Sequence, residues 1–135
     1  MLGMARPVLL IVVGTAGLAA AALSPAVTVE SGSALFRSYC ASCHGAEAKG
    51  DGPLSANLRV APADLTLIAK RNHDKFDAEK VHRAIDGRSP KEIHGGSDMP
   101  VWGDAFKGAA DGYSEAKVKE RIDALVDHIA TLQQP

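Results

Sequence analysis

The chain has 135 residues, with 15 Lys+Arg against 16 Asp+Glu and a net charge of −1. That length holds one small domain, the charge excludes the basic surplus of a nucleic-acid binder, and no low-complexity tail marks a disordered scaffold. Aromatic residues make up only 4%, so a staple or a cofactor is expected to complete the core.

The first thirty residues differ from the rest. Arg6 is the only charged side chain before Glu30, and residues 8–23 form an unbroken, mainly apolar run. A basic n-region, an apolar h-region and small residues at Ala20–Ala22 or Ser24–Ala26 spell a secretory signal over 1–26. The uncharged stretch 7–29 also suits an uncleaved membrane anchor. Either reading exports residues 27–135 as one domain, and the expected location is periplasmic.

Three helices are predicted in that domain. The first covers about 33–40, with Leu35, Phe36 and Tyr39 on neighbouring turns. The second starts after Asp77 and stops at Gly87, with Phe76 and Val81 placed as a hydrophobic staple. The third follows Ser114, and Val118, Ile122, Leu125, Ile129 and Leu132 recur at spacings of four and three. A short helix fits at 66–71. Residues 45–63 and 88–112 read as long loops rich in Gly, Pro, Asp and Ser. Loops of that length inside a compact domain must wrap something. Basic residues cluster from Lys70 to Lys91, whereas acids prevail after Gly95; the pattern reads as a solvated surface or as a docking dipole.

Cys40-Ala41-Ser42-Cys43-His44 carries the chemistry. C-x-x-C-H is the signature of covalent c-type haem attachment: two thiols reach the two vinyl groups, and the adjacent His becomes the proximal iron ligand. A thioredoxin-like motif needs a βαβ setting that the sequence lacks. Structural zinc needs two further ligands at finger-like spacing, and a disulfide across two residues gives little entropic benefit. One haem c, bound through Cys40 and Cys43, is therefore expected. Met99 is the one methionine beyond the leader, and in its glycine-rich loop it is the favoured sixth ligand. His73, His82, His94 and His128 read as surface or helix-face residues. His94 is the rival ligand, because it shares the loop with Met99.

With these residues in hand, the chain resembles a class I c-type cytochrome of the bacterial group that includes the monohaem domains of cbb3-type oxidase subunits. Gly32, Phe36, Cys40, Cys43 and His44 carry the resemblance, followed by Gly50-Asp51-Gly52-Pro53, residues 61–66, Ile85, Gly87 and Met99-Pro100-Val101-Trp102. It covers about 32–132. The resemblance implies an all-α fold of three to five helices with long loops around one covalent haem, and terminal helices that cross at Gly32. It implies a proline carbonyl as acceptor for the His44 Nδ1–H, with Pro62 the candidate and Pro53 the rival. Trp102 either donates its indole N–H near a haem propionate or packs in the core. The family's usual aromatic on the last helix is replaced here by His128.

The function expected is one-electron transfer, Fe(III)/Fe(II), between respiratory or dehydrogenase partners, either as a free shuttle or as a fixed subunit of a dehydrogenase or oxidase. No nucleophile–base constellation marks an enzyme. The alternative is a haem enzyme or gas sensor in which Met99 is displaced. Redox proteins are the expected partners, without nucleic acid, and with a membrane only through an uncleaved N-terminal segment.

Overall fold

The first helical run is closed at its start by Ser31, whose hydroxyl accepts the Ala34 N–H at 3.3 Å. α1 (Gly32–Leu35) passes into a π-helical segment, Phe36–Cys40, and continues as α2 (Ala41–His44). At the π segment the Ala41 N–H reaches back to the Phe36 carbonyl. One extra residue is thus accommodated in the turn leading into the cysteines. The helix predicted to end at Cys40 instead carries both thiols and His44. The following loop makes this affordable: Leu54, Gly52 and Gly50 donate their N–H groups to the carbonyls of Ser42 (2.9 Å), Cys43 (3.1 Å) and His44 (2.7 Å). Those carbonyls are the ones a helix end leaves without partners. Gly52 has no substitute there, since a Cβ would lie 2.5 Å from the Ser42 oxygen.

This computed structural model describes residues 30–89, 98–108 and 114–135; the expected leader and His94 lie outside the described residues. Asp64 caps a 3-10 turn, Leu65–Leu67, that runs into α3 (Ile68–Arg71), where the short helix was expected. α4 (Ala78–Asp86) is capped by the Asp77 side chain on the Lys80 N–H at 2.9 Å and ends on Gly87 in the left-handed conformation. α6 (Glu115–Thr131) starts at Ser114, whose hydroxyl accepts from the Lys117 N–H. Two short elements depart from the loop reading: a 3-10 turn at Ser55–Asn57 and α5 (Trp102–Lys107). α5 is held by packing, with Phe106 buried and its ring against Tyr39 and Trp102 at centroid distances of 5.3 Å.

The core lies where α1, α4 and α5 meet α6. Leu35, Phe36, Val118, Ile122 and Leu125 are fully buried, joined by Val81, Ile85, Phe106, Val126 and Ile129. α1 crosses α6 at Gly32, where a Cβ would stand 1.9 Å from the Ala124 carbonyl oxygen. His128 takes the aromatic's place, its ring edge-on to Phe36 at 5.4 Å. Counting α1, the π segment and α2 as one run, the described residues hold five helices and no strand. The fold is all-α and cytochrome c-like. No helix among the described residues is long and apolar enough to cross a membrane.

Candidate functional site

The Cys-x-x-Cys-His turn opens onto a cavity of about 480 Å³, a size typical of cofactor pockets, which run roughly 300–1,000 Å³. Cys40, Cys43 and His44 line it from α2 and the π segment before it. Leu58, Val60, Leu65, Ile68, Val81 and Ile85 supply apolar walls from the long loop, the 3-10 turn, α3 and α4. Met99 and Pro100, on the strap before α5, and Trp102, its first residue, close it. Arg71, Asn72 and Lys80 bring polar atoms to the same lining. The C-terminal residues brace one wall. Gln133 accepts from the Ala69 N–H and donates to the Leu65 carbonyl, both at 2.8 Å, and the Gln134 N–H meets the Thr66 carbonyl at 2.9 Å.

His44 is half-buried, with Nδ1 at 3.0 Å from the carbonyl oxygen of Ala63. A carbonyl only accepts, so Nδ1 carries the proton and the neutral ring leaves Nε2 with its lone pair. Burial pulls the imidazole below its ordinary pKa, against an opposing effect of this hydrogen bond, and so favours that neutral form. The acceptor is thus Ala63, which corrects the expectation of Pro62 or Pro53. The chain turns at this point for main-chain reasons. The Leu65 N–H reaches the Ala48 carbonyl at 2.7 Å, and Asp64 accepts from both N–H and hydroxyl of Thr66. Those contacts present the 63 carbonyl to the ring and leave Pro62 in the cavity wall.

Both cysteines are free and half-buried. Burial, with a smaller contribution from neighbouring Cys43, pushes the Cys40 thiol up to about 12. A redox C-x-x-C needs the reverse, a thiolate stabilised below its ordinary value. Cys40 is therefore not the low-pKa thiolate that drives disulfide exchange. Trp102 lies against Tyr39, with ring centroids 5.5 Å apart, so it packs in an aromatic cluster while also lining the cavity. Sequence reasoning missed the other member of that cluster. Arg121 is 7% exposed on the inner face of α6, its guanidinium 4.8 Å from the Phe106 ring centroid. It donates to the Tyr39 hydroxyl and to Glu30.

All six predicted site residues, Cys40, Cys43, His44, Pro62, Met99 and Trp102, line the one cavity. The other described histidines do not. His82 faces Asp123 at 3.3 Å, His128 packs on Phe36, and His73 is exposed. Two thiols, an imidazole and a thioether around an apolar space fit a haem c: sulfur for the vinyl carbons, nitrogen and thioether for iron, and apolar walls for the porphyrin face.

An all-α fold built around such a cavity defines a cytochrome c domain. Residues 27–113 match the family described as cytochrome c oxidase, cbb3-type, subunit III, and the chain belongs to that family. A domain of this kind is that of an electron-transfer haem protein and implies covalently bound haem c. No match is found among curated proteins or among solved structures.

Proposed function

We propose that the chain is an exported monohaem electron carrier whose single haem c is attached through Cys40 and Cys43 and ligated by His44 and Met99. The haem supplies a one-electron Fe(III)/Fe(II) couple. The observation that carries the reading is the meeting of all four side chains in one mainly apolar cavity. Ala63 holds the His44 ring in the tautomer that leaves Nε2 free to ligate, and fixes its orientation. Met99 offers a thioether, a neutral ligand that raises the potential relative to a second imidazole. Apolar side chains around the cavity keep water from the site, which lowers the rearrangement that accompanies a change of charge. The leader-like residues 1–26 support a periplasmic location, with the domain either released or tethered. Redox proteins are its partners, met transiently or within a dehydrogenase or oxidase complex.

The test is the optical spectrum of the matured protein, oxidised and reduced, with and without carbon monoxide. The expected outcome is a low-spin c-type spectrum with a weak far-red Met–iron band when oxidised and no response to carbon monoxide. Ready carbon monoxide binding without the far-red band overturns the carrier and favours a haem sensor or enzyme.

A further inference from the structure

Met99 is held from its C-terminal side by Pro100, whose ring fixes its own φ, and by the start of α5 at Trp102. On its N-terminal side stands Asp98, and this carboxylate is gripped from a distant loop. The Arg59 backbone N–H donates to Asp98 Oδ2 at 3.0 Å, while the Arg59 side chain donates through Nε (3.2 Å) and Nη2 (3.0 Å) to Oδ1. Thirty-nine residues separate the two. Lys117–Glu120 and Lys119–Asp123 join neighbours on one helix, while Arg121–Glu30 and Arg88–Glu115 tie α6 to other parts of the fold. Arg59–Asp98 joins two loops that line the same cavity, since Leu58, Val60, Asp98 and Met99 all face it. A main-chain donor combined with a guanidinium fork fixes the carboxylate in direction as well as in distance.

We propose that Arg59 is a positioning residue for the sixth ligand, acting through Asp98 as a latch that keeps Met99 in the cavity wall. The inference rests on the reading of Met99 as an iron ligand. The latch governs how often the strap swings away and lets another ligand reach the site. The Arg59 side chain is 74% exposed and that of Asp98 only 20%, so salt reaches the cation and loosens the latch.

The test is stopped-flow binding of imidazole to the oxidised, haem-loaded full chain, with the far-red band as a second readout. Arg59→Gln, Asp98→Asn, the double variant and Met99→Ala are compared with the parent. Met99→Ala is expected to abolish the band. The two single latch variants are expected to keep it yet capture imidazole about three- to tenfold faster, as for the loss of one charge-assisted contact. The double variant should be no faster than the faster single, because both remove one shared contact, and ~1 M salt should bring the parent towards the variants. Arg59→Lys, which keeps the charge but loses the fork, should fall between parent and Arg59→Gln. Parent-like capture by both singles, with the band lost only in Met99→Ala, overturns the latch and leaves Met99 as ligand. Additive acceleration in the double variant, or acceleration that merely tracks a loss of global stability to guanidinium, also overturns it. Retention of the band by Met99→Ala overturns the ligand reading and the latch with it.

Discussion

A main-chain carbonyl sets the chemistry of His44, and the residue type at that position is immaterial to it. Pro62→Ala is therefore expected to leave the reduction potential and the far-red band unchanged, because Ala63 still accepts from Nδ1 at 3.0 Å. A clear shift in potential would return the orienting role to Pro62. Gly32 is the opposite case, a position where the side chain decides everything. A Cβ there would stand 1.9 Å from the Ala124 oxygen and 2.7 Å from its carbonyl carbon. Both atoms are backbone of α6, so relief requires the helices to move apart and Phe36 to lose its seat against His128. Gly32→Ala is expected to destabilise the loaded protein by about 3 kcal/mol, at the upper end of overpacking penalties. Guanidinium unfolding of parent and variant measures this directly, and a change under about 0.5 kcal/mol, ordinary for a surface site, would show that the crossing is loose.

Between elements, one charged corner joins the ends of α4 and α5 to the start of α6. Arg88 forks onto Asp86 at 2.7 and 2.8 Å and reaches Glu115 at 3.0 Å, while Lys107 pairs with the same Glu115. The Arg88 guanidinium lies across Gly103, where a Cβ would meet Nε at 2.2 Å. Hydrogen bonds from Arg88 hold the Asp86 carboxyl below its ordinary 3.8. Those from Lys107 and Arg88 hold Glu115 below 4.5. Folded-state values below the unfolded ones mean that both contributions are complete above those ordinary values and are lost as pH falls through the depressed ones. The melting temperature is therefore expected to drop with acid below about pH 4, and Asp86→Asn should flatten that drop while lowering the plateau at neutral pH. Identical acid profiles for parent and variant would remove the corner from the account. The same corner shows what the sequence could not reveal. α4 and α6 were legible because Asp77, Gly87 and Ser114 are local signals and the apolar period runs for several turns. α5 has six residues, no side-chain cap and a glycine at its second position. Its helicity comes from Tyr39, Trp102, Phe106 and Arg88, contacts made across the fold. The site divides the same way. Cys40, Cys43, His44 and Met99 were readable as residue types in a pattern, whereas the Ala63 carbonyl has no type to read and Arg59 finds Asp98 only after folding.

At the scale of the whole molecule, the core and the cofactor cavity are one structure. Val81, Ile85 and Ile129 belong both to the buried cluster and to the cavity lining, and Met99, Trp102, Leu65 and Ile68 pack against that cluster from the cavity side. Among the described residues, the loops on either side of the cavity are tied by the turns around Gly50, Gly52 and Asp64 and by the Arg59–Asp98 contact. A chain that never receives its haem must leave those walls to water or collapse them. A cavity of about 480 Å³ with mainly apolar walls is a large exposure for a domain whose folded state is separated from the unfolded chain by ~5–15 kcal/mol. Haem attachment is thus expected to be a condition of fixed packing and not an addition to a finished fold. The double substitution Cys40→Ala with Cys43→Ala, produced without haem, should retain helical far-UV circular dichroism, because α4 and α6 carry their own caps and apolar faces. Its near-UV signal from Trp102, Tyr39 and Phe106 should be lost, together with a cooperative thermal transition. Amide exchange would then place the surviving protection in α6 and the fastest exchange in residues 45–63 and 98–101, which meet across the cavity. A cooperative melt and an intact near-UV spectrum in the haem-free variant would instead show that the helices alone define the native packing.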